Sequence, residues 1–171
     1  MAKSAFKINA FEMLRRPGTV KSILIAVDPA ILDVDDSRIV PGSEVDIDLT
    51  CESLSDGIVV RGHVAASFHG ECRRCLKPIV ARIDADVNEL YQVTVTDPDA
   101  FPIEGDQIDL VPMVRETILL ELPDAPLCTV DCAGLCAMCG KDLNEGGCSC
   151  PRETVDPRWS VLDALRDRLP E

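Results

Sequence analysis

The sequence predicts an α+β fold: a small antiparallel β-sheet or partial barrel with a packed helix, and behind it a C-terminal cysteine-rich segment. Two periodicities and one cluster carry that prediction. Apolar and polar residues alternate through 45–51, 58–72 and 79–87, the pattern of strands with one face buried. Leu110, Val114, Ile118 and Leu122 recur at helical spacing. Cys128, Cys132, Cys136, Cys139, Cys148 and Cys150 then crowd into 23 residues.

Taken along the chain, Asn9 is placed to cap a short helix through Phe11, Met13 and Leu14, which Pro17-Gly18 stops. The apolar, β-branched run 20–27 reads as a strand, as does 45–51, where Val45, Ile47, Leu49 and Cys51 alternate with Asp46, Asp48 and Thr50. Cys51 lies on the apolar side and is expected to be a small core residue. After the turn signal Asp56-Gly57, a long strand runs directly into Cys72-Arg73-Arg74-Cys75. A second strand leaves that pair after Pro78, so the pair sits at a hairpin tip. A further strand over 89–96 is expected, with Asn88 and Glu89 breaking the pattern before it, giving four or five antiparallel strands.

Residues 96–107, with Pro98, Pro102, Gly105 and four acidic residues, read as an exposed loop. Asp109 then caps a helix with Pro112 in its first turn, where a missing N–H is harmless, and Pro123 ends it. Asp156-Pro157 opens a final amphipathic helix striped by Trp159, Leu162, Leu165 and Leu169. Residues 1–127 are therefore expected to form the mixed α+β core, and 128–171 a cysteine-rich segment and helix packed on it.

A chain of 171 residues, 46% apolar, is long enough for one domain with a real core. No run approaches the roughly 18 to 20 apolar residues of a membrane span, and the first residues lack the apolar centre of a signal peptide. A cytoplasmic location without membrane contact is expected. Disulfides do not persist in a reducing cytosol, and nine cysteines cannot all pair.

The cysteine spacing points instead to metal. A Cys-x-x-Cys turn brings two thiolates onto one ion, and Gly140 after Cys136-Ala-Met-Cys139 lets that turn finish at positive φ. Without Cys51, eight cysteines remain, enough for one or two structural Zn²⁺ ions with four sulfur ligands each. The glycine-rich stretch between Cys139 and Cys148 favours one local site from Cys136, Cys139, Cys148 and Cys150. Cys72, Cys75, Cys128 and Cys132 would then meet through the fold. Two other partitions remain open: Cys128, Cys132, Cys136 and Cys139 as one contiguous site, or the two Cys-x-x-Cys turns paired as in a zinc ribbon. His69, three residues before Cys72, is expected to be a solvated histidine and not a ligand.

Catalytic zinc keeps a position open for water and usually uses histidine or carboxylate ligands, whereas this chain has two histidines and a surplus of cysteine. No nucleophile triad, phosphate-binding glycine loop or small-molecule fingerprint is present, so no enzymatic activity and no small-molecule substrate are expected. A thiol redox protein is a weaker alternative, because neither Cys-x-x-Cys opens a helix after a strand. The net charge of −13 repels bulk nucleic-acid backbone and attracts basic proteins. Five exceptions mark candidate nucleic-acid contacts: Arg15 and Arg16 in a basic N-terminal stretch, and Arg73, Arg74 and Lys77 around the first cysteine pair. Their plainer role is to offset thiolate charge.

Five ordered motifs add a resemblance. They are Cys72-Arg-Arg-Cys75-Leu76; the acidic loop before Ile108-Asp109-Leu110; Glu116-Thr-Ile-Leu-Leu-Glu-Leu-Pro123 with Pro126-Leu-Cys128; Gly134-Leu-Cys136-x-x-Cys139-Gly140-x-x-Leu143-Asn144; and Asp156-Pro157-Arg158-Trp159. Together they resemble the YceD family, described as large ribosomal RNA subunit accumulation proteins. The resemblance implies a non-enzymatic factor for accumulation or maturation of large-subunit ribosomal RNA in ribosome biogenesis. Its partner would be a large-subunit ribosomal protein or pre-ribosomal RNA. The alternative is direct RNA binding by a zinc-ribbon protein.

Overall fold

The alternating runs pair with one another in a computed structural model that describes residues 6–151. Strand β1 (Lys7–Asn9) passes at once into helix α1 (Ala10–Leu14), whose first turn is closed by the Asn9 side chain accepting from the Glu12 amide at 3.1 Å. Strands β2 (Val20–Val27), β3 (Val45–Ser53), β4 (Gly57–Glu71) and β5 (Pro78–Gln92) follow as successive antiparallel neighbours. Strand β6 (Phe101–Pro102) adds to β5 in parallel, and β7 (Gln107–Asp109) returns to pair with β1. Helix α2 (Val111–Glu121) completes the core.

The main sheet is open, in the order β2-β3-β4-β5-β6, with β1 and β7 forming a separate two-stranded ribbon. Period-two patterning decides which face is covered. Val45, Ile47, Leu49 and Cys51 of β3 are all fully buried, while Asp46, Asp48 and Thr50 between them are exposed. The same buried face continues through Ile58, Val60 and Val64 of β4 and Ile83 and Val87 of β5. Leu110, Val114, Ile118 and Leu122 lock the α2 segment into this one apolar core, as their spacing predicts.

Four differences from the sequence reading have physical causes. The strands expected over 79–87 and 89–96 are one continuous β5, paired with β4 without a break from Pro78 opposite Glu71 to Gln92 opposite Gly57. Asn88 does not interrupt it, because its side chain faces solvent and accepts from Arg61 Nε at 3.0 Å. The strand instead ends at Gln92, whose Oε1 accepts the amides of Thr96 and Asp97 and turns the chain.

The exposed loop over 96–107 contributes β6, held by Phe101 stacked on Tyr91 at 5.2 Å and by the Ile103 amide on the Gln92 carbonyl at 2.9 Å. That makes one neighbour in the sheet parallel, against the all-antiparallel expectation. The helix cap is shared: Asp109 Oδ1 accepts the Val111 amide at 2.9 Å, but the residue at the helix boundary is Leu110. The C-terminal helix expected after Asp156 lies outside the described residues. Among the described residues no helix is long and apolar enough to cross a membrane.

Gly62 is the tightest point of the sheet. Its φ is +146°, and a Cβ there would overlap the Asp48 carbonyl of β3. Gly62→Ala is expected to lower stability by about 2–4 kcal/mol, through backbone strain and separation of β3 from β4. The urea midpoint compared with wild type checks it.

Candidate metal centres

The β4–β5 hairpin is the scaffold of the first centre. Its strands deliver Cys72 and Cys75 to the turn at the tip, closed by the Cys72 amide on the Lys77 carbonyl and the Leu76 amide on the Cys72 carbonyl, both at 2.8 Å. Leu76 takes φ +59° to finish this turn, a conformation that costs a non-glycine residue and that the sheet must hold in place. The second turn repeats the design bond for bond. The Cys136 amide meets the Lys141 carbonyl and the Gly140 amide meets the Cys136 carbonyl, again at 2.8 Å, with Gly140 at φ +72°. The sequence marks this second turn by its glycine; the first lacks that signal.

The eight sulfurs gather into two groups of four. Cys72, Cys75, Cys128 and Cys132 form one and Cys136, Cys139, Cys148 and Cys150 the other, with all ligand atoms of a group within 4.8 Å of one another. This arrangement matches the long-range partition and sets aside both the contiguous 128–139 site and a pairing of the two turns. In the first group Cys72 and Cys132 lie 3.7 Å apart and Cys75 and Cys128 3.5 Å, far beyond a disulfide and close to the roughly 3.8 Å edge of a tetrahedral Zn–S₄ unit. Cys51 stands apart, fully buried in the main core, where burial pushes its thiol up to about 11. His69 is exposed and belongs to neither group.

The electrostatics fit a cation. Burial pushes the Cys72 thiol up, but the amides of Cys128, Cys75 and Arg74 outweigh it and bring the thiol down to about 6. The amides of Cys139 and Met138, with the Cys148 thiol, bring Cys136 to about 6 as well. Each group also holds one thiol at the opposite extreme. Lys77's amide draws Cys75 down, yet burial and the neighbouring thiols drive it up to about 12. Cys139, then burial, does the same to Cys150. Four adjacent thiolates cannot coexist without positive charge, so each group is a donor set that a divalent ion could complete, with loss of protons on binding.

The two centres interlock. Asn144, from the second segment, accepts the Ala133 amide at 2.7 Å and donates through Nδ2 to the Cys132 sulfur at 3.4 Å. Arg74 of the hairpin tip donates to the Cys132 carbonyl at 2.9 Å, and its own carbonyl accepts the Leu135 amide at 3.1 Å. A side chain at Gly134 would crowd that same Arg74 carbonyl. Lys77 reaches Asp142 at 2.7 Å and Glu145 at 3.0 Å. These two carboxylates, Asp142 first, raise the Lys77 ammonium above its ordinary range. Asn144, Gly134 and Asp142 were not singled out from residue chemistry. Gly134 and Asn144 had only a place in the motif around Cys136 and Cys139, because partners 11 to 65 residues away leave no local pattern.

The five basic candidates do not form one patch. Arg73, Arg74 and Lys77 sit at the hairpin tip, and Arg74 and Lys77 spend their donors on the cysteine segment. Arg15 and Arg16 follow α1, tied to the far end of the hairpin by the Gly18 amide on the Ser53 carbonyl. At about 3.3 Å per residue, a 15-residue strand puts roughly 45 Å between the two groups. Arg15 also lies over the Phe11 ring at 5.4 Å.

A family model described as large ribosomal RNA subunit accumulation protein YceD matches residues 60–166. An uncharacterized protein of Mycobacterium tuberculosis is 34% identical over 168 residues, covering 93% of this chain and 80% of the relative. One of Mycobacterium leprae is 32% identical, covering 92% and 76%. A chloroplastic protein of Arabidopsis thaliana, named large ribosomal RNA subunit accumulation protein YCED homolog 1, is 35% identical over 69 residues, covering 40% of this chain and 22% of that protein. No solved structure matches.

Titration of the reduced protein with Zn²⁺ is expected to saturate at two equivalents, and of Cys72→Ser at one, read by metal analysis after desalting. Asn144→Ala should keep both equivalents but cost about 1–3 kcal/mol, because the Ala133 amide and the Cys132 sulfur lose their partner. Denaturant unfolding of the zinc-loaded variant measures that cost.

Proposed function

Because the chain belongs to the YceD family of large ribosomal RNA subunit accumulation proteins, we propose that it supports large-subunit ribosomal RNA as a non-enzymatic, zinc-clipped binding factor in the cytoplasm. Its partner on this reading is a basic ribosomal protein of the large subunit. The observation that carries the structural half is that each cysteine group supplies four sulfurs. Four protein ligands fill a tetrahedral ion and leave no position for water or substrate, the mark of a structural site. Zinc at Cys72, Cys75, Cys128 and Cys132 would fasten the hairpin tip to the segment after α2. Zinc at Cys136, Cys139, Cys148 and Cys150 would brace that segment from the other side.

Charge supports the choice of partner. The formal net charge is −13, and two Zn–S₄ units would carry it to about −17. Such a field draws basic polypeptides and repels RNA backbone. Two of the three basic side chains nearest the first centre are already engaged, Arg74 with Cys132 and Lys77 with Asp142, which weakens the case for an RNA-reading patch there. A factor of this kind would shield a ribosomal protein until its RNA site is ready.

Affinity capture of the tagged, zinc-loaded protein from its native cells at low salt is expected to recover a basic large-subunit ribosomal protein in ribonuclease-treated extract. Recovery only when RNA is intact would favour direct RNA binding, and recovery of neither partner would end the proposal. Chelation should abolish capture together with the fold, since metal affinity and folding are linked.

A further inference from the structure

The main sheet has one long edge that the described chain leaves open. Strand β2 pairs with β3 over eight consecutive residues, from Val20 opposite Glu52 to Val27 opposite Val45, without a bulge. The Ser53 amide donates to the Thr19 carbonyl, so the odd-numbered residues of β2 turn their backbone groups toward β3. Val20, Ser22, Leu24 and Ala26 therefore aim their N–H and C=O groups outward, and among the described residues no backbone hydrogen bond meets them. Elsewhere the chain covers such an edge. Where β4 runs past β3, the Val40 amide bonds to the Ser67 carbonyl and the His69 amide to the Arg38 carbonyl.

Strand β2 carries few of the usual protections of an edge strand. It has no proline, and its one charge, Lys21, alternates onto the other face. On the solvent face Leu24 is 78% and Val20 57% exposed. Next to them lies a cleft of about 330 Å³ lined by Ala26 and Ala65 and by Asp46, Asp48 and Asp84, with Arg82 and His63 among them. The cross-strand register sets Ala26 beside Asp46 and Leu24 beside Asp48. One side chain of the protein itself shows the pairing the cleft favours: the Arg82 guanidinium crosses from β5 to Asp46 at 2.6 Å.

We infer that β2 is a docking edge for an extended, lysine- or arginine-rich segment of the partner, which adds as a sixth strand to the sheet. The backbone edge supplies the binding and the aspartates select the sign of charge. An added strand lies about 4.8 Å from β2, and a long basic side chain can lay its stem over small Ala26 to set its head between Asp48 and Asp46, sharing Asp46 with Arg82. This rests on the reading of the partner as a basic protein and gives that partner a place.

The test uses the full, zinc-loaded chain and two synthetic eight-residue peptides, one alternating lysine with valine and one alternating glutamate with valine. The lysine peptide is expected to bind, more weakly as salt rises, and the glutamate peptide not to bind. Ser22→Pro removes an N–H that no described strand uses, so it should leave zinc content and melting unchanged. It should weaken the lysine peptide about tenfold or more, the equivalent of one or two hydrogen bonds. Asp48→Lys should weaken it as well, with the edge intact. Equal binding by wild type and Ser22→Pro would overturn the proposal, while leaving partner capture, and hence the proposed function, standing.

Two other occupants have their own signatures, and either overturns it. Sedimentation as a dimer that Ser22→Pro converts to monomer would assign the edge to a second copy. Slow exchange of the Ser22 and Leu24 amides in the monomer alone would assign it to the chain's own residues 152–171.

Discussion

Convergence of the first four sulfurs is the constraint on which the rest of the structure depends. Cys72 and Cys75 close a hairpin whose strands are 15 residues each, and Cys128 and Cys132 arrive from beyond α2. The tip of that hairpin has only a small apolar cluster of its own, Cys72, Cys75 and Cys132 with Ile79, Leu127 and Leu135. It is separate from the main core, which ends near Phe68 and Ile83. Burial alone therefore supplies little to hold the tip and the segment 126–150 together. Sulfur–metal bonds would be the strongest force available there, and by joining residues some 50 to 60 apart they would remove much of the freedom of the unfolded chain.

The second group serves the first. Its turn copies the hairpin turn in backbone bonding, yet its sulfurs are more exposed than those of the first group, which holds three buried cysteines. What it contributes across the boundary is polar: Asn144 on the Cys132 sulfur, and Asp142 and Glu145 on Lys77. Hydrogen bonds to a ligating sulfur spread its negative charge and fix its orientation. The same contacts explain why Arg74 and Lys77 sit beside the first cysteine pair. They tie the hairpin to its partner segment, a task that needs cations against carbonyl and carboxylate oxygens.

Much of this was legible in the sequence, and the parts that were not share a cause. Strand β3 was readable from its strict period of two, β4 from a looser alternation, and β2 from its apolar, β-branched run. The α2 core positions were readable from their helical period. The grouping of cysteines was favoured by the glycine-rich span between Cys139 and Cys148, which allows a local return. Asn88 misled because polarity in a strand was read as a break, when a solvent-facing strand position tolerates it. Strand β6 has two residues and no period to detect, and depends on the stacking of Phe101 and Tyr91. The bridging roles of Asn144, Asp142 and Gly134 come from tertiary geometry alone. So does the separation of Arg15 and Arg16 from Arg73 and Arg74, which sequence proximity to other basic residues cannot reveal.

The position of Asn144 sets an order in time as well as in space. It lies 12 residues downstream of the sulfur it caps. A chain growing from its N-terminus presents all four sulfurs of the first group before Asn144 has been polymerised. A chain cut between Cys132 and Asn144 keeps all four sulfurs of the first group but lacks the amide donor on Cys132. Such a truncated chain would carry an unsealed sulfur, the form most open to loss of any ion it held.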